Sequence, residues 1–499
     1  MNQTLENQLK SADEVMAANG ETQPTDRRAI TSPANGKLGG RPPIDCSALV
    51  AEYKSFYSTD VRWGKDGFKE YDPRLGAYRR RTDKEMCARA GAFLVASERG
   101  YSKNLENTLV GALRANPNPE LKPPVFLSTG QSAKGWIAMQ NGLLDVEAAA
   151  RGKDVNLLPL TADFFSYRSL PYPWVPDAPC PKFLKYLNEA QPNQAGREML
   201  QLLAGYLLVE DCSFEIFGIL IGEGGTGKST FLSILKKLLG PENVCSIPLY
   251  RFSEKHCTYK MATTLANLVD EAPNADMGRW GSLAASESIL KSIASGGEVH
   301  VEPKGVDADD LPATARCVFC QNPPLPPFVD RTNGLWRRLR VIPFPKVFDG
   351  TPEEINNLAE EIVAAGELPG IFRWAVEGLG KLRKLTVFPQ CPEGAAMIAE
   401  NRALLDKESS FLRENFKFKE GSFIASADIA SDYVSWCKKE CYPTPKGPQA
   451  LAADIRRVFP GVKYHVKTVD GKKKRGWLNI SRLGLHFDFA SNRALPVTQ

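Results

Sequence analysis

The chain has 499 residues, 43% of them apolar, and a formal net charge of +5; that length holds about three domains, with enough apolar side chain for real cores. No run approaches the roughly 18 consecutive apolar residues of a membrane-spanning helix, and the polar start Met1-Asn2-Gln3-Thr4-Leu5-Glu6 lacks the apolar segment of a signal peptide. Eleven cysteines, scattered rather than framed, fit reduced thiols in a cytoplasm, and the mild positive charge permits a nucleic-acid partner without requiring one.

Residues 1–45 contain no Phe, Trp or Tyr and are rich in Asn, Thr, Ala, Gly and Pro. Such a composition cannot bury enough apolar surface to order itself, and predicts a tail. Aromatics return from Cys46 to about Asn193, with turn signals at Lys65-Asp66-Gly67 and Asp72-Pro73-Arg74 and a helical run at Asp83 to Glu98. Pro171-Tyr172-Pro173-Trp174-Val175-Pro176 reads as a rigid extended connector. From Gln194 to Leu385 short apolar strands alternate with helices, the pattern of a parallel α/β sheet.

Within that region Ile216 to Ile221 is an apolar strand, followed directly by Gly222-Glu223-Gly224-Gly225-Thr226-Gly227-Lys228-Ser229-Thr230 and then the helix-like Phe231-Leu232-Ser233-Ile234-Leu235. Strand, glycine loop and helix in that order form a phosphate-binding loop. The glycines let successive backbone N–H groups turn around a polyphosphate, and the helix N-terminus adds a favourable dipole. Lys228 is expected to reach the β- and γ-phosphates of ATP, and Ser229 to hold Mg²⁺.

A second apolar strand, Leu265 to Val269, ends in Asp270-Glu271. Beside the loop, Asp270 is expected to anchor the metal and Glu271 to orient and deprotonate the attacking water. Ile289 to Ser295 reads as a helix, Gly296-Gly297 as a break, and Glu298 to Gly305 as part of a hairpin with Lys304 near its tip. A third strand, Arg316 to Cys320, ends in Gln321-Asn322-Pro323, where Asn322 can contact both γ-phosphate and water. Cys317 and Cys320 lie on that strand among bulky apolar residues, with no second Cys or His pair nearby, so zinc is not expected there. Trp336-Arg337-Arg338-Leu339-Arg340 leads into the strand Val341-Ile342-Pro343-Phe344; arginines this close to the site suggest a finger inserted into a neighbouring subunit's nucleotide.

Met397 to Leu412 reads as helical and leads into a smaller C-terminal domain, in which Cys437 and Cys441 sit at helical spacing. Tyr464 to Val469 and Arg475 to Ile480 flank Asp470-Gly471-Lys472-Lys473-Lys474, a strong hairpin signal. Six Lys or Arg and one Asp fall between Gly461 and Ile480, so Lys472, Lys473, Lys474 and Arg475 form a candidate DNA-contacting wing; the bland alternative is an edge-protecting lysine cluster.

The succession Gly-Gly-Thr-Gly-Lys-Ser-Thr, Val-Asp-Glu, Leu-Lys-Ser-Ile-Ala-Ser-Gly-Gly, Val-Glu-Pro-Lys-Gly, Gln-Asn-Pro-Pro and Leu-Trp-Arg-Arg-Leu-Arg-Val-Ile-Pro-Phe resembles superfamily 3 helicases, and more narrowly the phage/plasmid primase–helicase family related to the poxvirus helicase–primase. Lys228 to Asn322 spans only about ninety residues, a compactness characteristic of that superfamily. The resemblance implies an α/β AAA+-like motor at 194–385, a mixed α+β helicase-associated domain at 46–193, a winged-helix-like DNA-binding domain at 386–483 and a tail at 484–499. It also implies a ring, commonly a hexamer, that uses ATP and Mg²⁺ to unwind duplex DNA along one strand in a bacterial host cell. Arg338, with Arg337 second, matches the trans-acting finger, and Lys304 the basic residue of a channel hairpin.

The sequence departs from the family in three respects. No acidic pair suited to a primase lies near the N-terminus, so primase activity is not expected, and a separate primase or other replication protein stays open as a partner. Gln321 replaces the usual Thr before Asn322, and Pro303 with Asp307, Asp309 and Asp310 dilutes the basic hairpin. An ATP-switched replication initiator or loader is the alternative function; a small-molecule kinase leaves the arginines and the basic wing unexplained.

Overall fold

The computed structural model describes residues 44–64, 67–97, 99–117, 123–254, 256–270, 280–301, 309–326, 328, 330, 333–439, 448–469, 471–483, 486–488 and 493–495. Its centre is a five-stranded sheet in the order Leu339–Pro343, Phe217–Ile221, Arg316–Gln321, Ala266–Val269, Val244–Cys245. Every pairing in it is parallel. A parallel sheet needs cover on both faces, which is why its strands read as continuous apolar runs. Phe217, Ile219 and Ile221 pack into one core with Cys317, Phe319, Leu339 and Val341. Leu220, Val318, Cys320 and Ile342 pack into the other, against the loop helix Lys228–Leu239 and the helices Gln194–Tyr206 and Leu368–Leu382. The chain is thus mixed α/β around a parallel sheet. Cys317 and Cys320 enter opposite cores, so the two thiols cannot share an ion.

The second core also takes in Ile137, Met139, Leu144, Tyr172 and Phe183. The proline-rich segment at 171–176 has no helix or strand and is pinned at Tyr172 and Trp174, while Pro171, Val175 and Pro176 are exposed. The Tyr172 hydroxyl donates to the Leu238 carbonyl, and the Trp174 ring meets Phe372 edge-on. Sequence near the N-terminus forms a separate core, in which helices Cys46–Tyr57, Asp83–Ala96 and Lys103–Arg114 pack on an antiparallel sheet of Val61–Gly64, Gly67–Asp72 and Ala77–Arg81. There Glu70 is buried and held by Tyr53, Arg81 and Arg89, while Asp60 pairs with Lys54 and Arg62. Both carboxylates are consumed by structural ion pairs.

Helices Gln194–Tyr206 and Leu368–Leu382 touch backbone to backbone. A Cβ on Gly378 would lie 2.1 Å from the Gln201 carbonyl oxygen, and one on Gly205 2.3 Å from the Leu379 nitrogen. Neither neighbour can rotate away. Gly378→Ala is therefore expected to destabilise the protein by about 1–3 kcal/mol or more through overpacking, read as a fall in the urea or thermal midpoint; an unchanged midpoint would contradict this helix contact.

The expected helix from Met397 to Leu412 is two helices, Pro392–Leu405 and Lys407–Asn415, joined at Asp406. Asp406 leaves helical geometry (φ −107°, ψ 34°) with its carboxylate engaged by Arg457. The break redirects Phe411 and Leu412 into a third core with Tyr433, Trp436, Leu451, Trp477 and Ile480. This unit continues with strand Phe416–Ala425, helices Ser426–Lys439 and Pro448–Val458, and strands Lys463–Val469 and Lys472–Arg482, giving sheet order first, third, second. Cys437 is buried in its core; Cys441 lies outside the described residues. Among the described residues no helix is long and apolar enough to cross a membrane.

Candidate functional site

Three neighbouring strands carry chemistry at their C-terminal ends, the edge at which open parallel sheets bind ligands. Gly222 follows the strand Phe217–Ile221, Asn322 follows Arg316–Gln321, and Asp270 follows Ala266–Val269. The registers Gln321↔Ile221 and Val269↔Phe319 bring these three ends together. They open on a cavity of about 490 Å³ lined by Gly224 to Thr230, Asp270, Gln321 and Asn322. Asp270, Asn322 and Ser229 are exposed to it.

The loop's conformation demands its glycines. Gly225 has φ +68°, and a Cβ there would lie 2.4 Å from the Asp349 side chain; a Cβ on Gly222 would lie 2.4 Å from the Phe344 carbonyl oxygen. Among the described residues the N–H groups of Gly224, Gly225, Thr226 and Gly227 donate no backbone hydrogen bond. Four successive free donors at the start of helix Lys228–Leu239 make an anion nest, which fits a polyphosphate. Lys228 is buried at 6% exposure, with its ammonium 2.7 Å from the Gly222 carbonyl, 2.6 Å from that of Glu223 and 3.1 Å from the Thr226 hydroxyl. Burial holds its pKa below the ordinary lysine value, a shift that the negative charges of Glu223 and Asp270 oppose. The Cys320 thiol at the cavity floor is pushed up to about 12, chiefly by burial, and stays neutral.

Several cavity residues carry no motif. Tyr186 donates to the Gly227 carbonyl at 2.7 Å, and Phe348, Asp349, Ile355 and Leu358 form a further wall. The wall is tied to the loop by the Phe348 N–H, which donates to the Gly225 carbonyl at 2.9 Å. The sequence signal, Asp349-Gly350-Thr351-Pro352, marks only a turn.

Glu271 and Lys304 lie outside the described residues. The hairpin that would carry Lys304 is present at its base, where Glu298–Val301 pairs antiparallel with Asp309–Pro312. There His300 Nδ1 lies 3.0 Å from Asp310.

Arg337 and Arg338 stand at the opposite end of the sheet. Leu339 pairs with Phe217 and the Arg338 carbonyl accepts from the Phe217 N–H, so a full five-residue strand, about 13 Å, separates them from their own loop. One carboxylate oxygen of Glu215 binds both guanidiniums, at 2.8 Å to Arg337 and 2.7 Å to Arg338. Arg338 also donates to the Ser295 hydroxyl and the Gly334 carbonyl. Its side chain is 12% exposed, against 55% for Arg337.

Lys472, Lys473 and Arg475 are exposed and Lys474 half-buried. They start the strand Lys472–Arg482, which pairs with Lys463–Val469 and stacks Lys474 opposite Lys467.

Residues 220–338 match the model of DUF5906, a family of unknown function. That segment runs from the end of the loop strand to Arg338, the stretch that carries most of the superfamily 3 resemblance. It holds three of the sheet's five strands, Val244–Cys245, Ala266–Val269 and Arg316–Gln321, with the phosphate loop, Asp270, Asn322 and the arginine pair, while Tyr186 and the wall at Phe348 to Leu358 lie outside it. No curated protein matches the chain. Among solved structures, the apo structure of the NrS-1 C-terminal region has a TM-score of 0.52 at 14% identity, covering 87% of this chain and 99% of that one. Its A form gives a TM-score of 0.50 at 11% identity, covering 86% and 99%. At these identities the likeness is one of fold, and it extends well beyond the DUF5906 segment on both sides.

Proposed function

We propose that this chain is an ATP-dependent replicative DNA helicase of a phage, plasmid or other mobile element, working as a ring, most simply a hexamer. The observation that carries the reading is the convergence of the phosphate loop, Asp270 and Asn322 on one cavity while the arginine pair faces away from it. A site so divided is complete only where one subunit's arginines meet the next subunit's loop, a heterologous contact that closes into a ring. The sheet order, with one strand inserted between the loop strand and the Asp270 strand, supports an AAA+-like motor. The order first, third, second in the C-terminal sheet, with three helices around it, supports a winged helix at 386–483 behind a helicase-associated domain at 46–193.

In this reading Gly222 to Gly227 and Lys228 bind the phosphates of ATP, Ser229 and Asp270 hold Mg²⁺, and Glu271 activates water that Asn322 helps position. Bound Mg²⁺ neutralises charge on the β- and γ-phosphates. Lys304 is the proposed contact to the translocating strand. The deciding experiment is strand displacement from a forked duplex with ATP. Displacement supports the helicase; ATP-dependent duplex binding without displacement would instead mark an initiator or loader.

The basic hairpin is proposed to grip duplex DNA through Lys472, Lys473, Lys474 and Arg475. If it neutralises four phosphates, log K falls with log salt at a slope of about −3.6 from this element. Replacing all four with glutamine is expected to remove that part of the slope in anisotropy titrations. An unchanged slope leaves the cluster as protection for an exposed strand edge.

A further inference from the structure

A second concavity, of about 390 Å³, lies away from the loop, where the DUF5906 segment meets the C-terminal unit; it is lined by Trp336, Arg402, Asp406, Ser410, Arg413 and Arg457 among others. Four helices contribute: Asn333–Trp336, Pro392–Leu405, Lys407–Asn415 and Pro448–Val458. Its charges are not balanced. Arg457 is satisfied by a two-pronged pair with Asp406, at 2.5 and 3.1 Å, and by Asp454 and the Ser409 hydroxyl, each at 2.8 Å. That engages Asp406, the one carboxylate on the wall among the described residues. Arg402 and Arg413 are both exposed, and their guanidiniums form no ion pair or hydrogen bond among the described residues. The Ser410 hydroxyl likewise has no partner there. Arg402 lies over the Trp336 ring, 5.7 Å from its centroid, and the ring is fixed by its Nε1–H donating to the Asp330 carbonyl at 2.9 Å.

Two like charges facing one recess repel each other and concentrate anions there. Guanidiniums from two different helices, joined by a hydroxyl, offer donors from several directions. A phosphate group, with oxygens in a tetrahedron, meets them better than a flat carboxylate. The volume accepts a phosphate together with an attached sugar. We propose that this junction is a phosphate-binding pocket, separate from the nucleotide loop, in which Arg402, Arg413 and Ser410 hold a phosphate of a nucleic-acid strand or a free phosphate. The pocket rests on these side chains alone and survives if the helicase reading fails.

The test uses the full chain and two probes. Anisotropy of a fluorescein-labelled oligo-dT, without nucleotide and across a salt series, reads strand phosphate. Calorimetric titration of inorganic phosphate into Lys228→Ala protein, whose loop is disabled, reads free phosphate. If the strand is the source, Arg402→Gln/Arg413→Gln weakens oligo-dT binding about tenfold, the loss expected for charge-assisted contacts. The salt slope then falls by about 0.7 for each phosphate no longer contacted. If free phosphate is the source, oligo-dT binding holds and the calorimetric signal disappears in the double variant. Arg413→Gln alone, at an exposed residue with no partner, gives a partial loss in the same direction should the double variant fold poorly. A folded double variant that binds both probes as the parent does overturns the pocket.

Discussion

Lys228→Ala is expected to lower ATP hydrolysis by about 10²–10³-fold or more, the scale of removing a preorganised group that meets developing charge. The ammonium already lies in the loop, bonded to the carbonyls of Gly222 and Glu223 and to Thr226. A bound triphosphate offers it full negative charge instead of carbonyl dipoles, so the exchange favours the nucleotide strongly in this half-closed setting. Lys228→Arg is not expected to rescue activity, because a planar guanidinium cannot occupy a space shaped for a compact ammonium between two carbonyls. Folding is the control. The loop's turn depends on Gly225 and Gly222 and on the strand behind them rather than on Lys228, so far-UV circular dichroism and the thermal midpoint should stay close to the parent's. Hydrolysis within a few-fold of the parent in a folded Lys228→Ala protein would remove the loop from the chemistry.

The parts of this site that were legible in the sequence are those written locally. Glycine spacing, an adjacent Lys-Ser and an apolar run before them specify strand, turn and helix within fifteen residues. Asp270 and Asn322 were legible because each ends an apolar run, and parallel strands present their C-terminal ends on one edge. What stayed hidden joins residues far apart in the chain. Tyr186 approaches the loop from 41 positions upstream of Gly227, and nothing in its own helix marks it. Glu215 binds Arg338 across 123 positions. The recess at Arg402 and Arg413 depends on a helix break at Asp406 that Arg457 holds from 51 positions away. Periodicity alone continues through Asp406, since alanines, leucines and Glu408 on either side all suit a helix. Only tertiary packing, which must turn Phe411 and Leu412 into the C-terminal core, decides against it.

Arg337→Ala/Arg338→Ala is expected to spare ATP binding and reduce hydrolysis by about 10³–10⁵-fold, the range for losing a finger supplied by a neighbour. The geometry excludes an action within one subunit: the pair flanks the start of the strand Leu339–Pro343, and the loop lies past the other end of its partner Phe217–Ile221. Complementation tests this directly. Lys228→Ala keeps its arginines, and the double arginine variant keeps its loop. Mixed in equal amounts, these two inactive proteins should regain activity up to about a quarter of the parent's, because in a head-to-tail ring that fraction of interfaces pairs an intact loop with intact arginines. No recovery in rings shown to exchange subunits would assign the arginines a structural role. The single variants separate the pair. Arg338 is tied to Glu215, Ser295 and the Gly334 carbonyl, whereas Arg337 is more exposed and its guanidinium is held by Glu215. If Arg338 is the finger, as its motif position implies, it must leave three partners on assembly, and Glu215→Gln should raise hydrolysis by loosening it. If Arg337 is the finger, Arg338 serves to hold Glu215 in place; Arg337→Ala then carries the full loss, and Glu215→Gln lowers hydrolysis instead. The sign of the Glu215 effect therefore tells the two arginines apart.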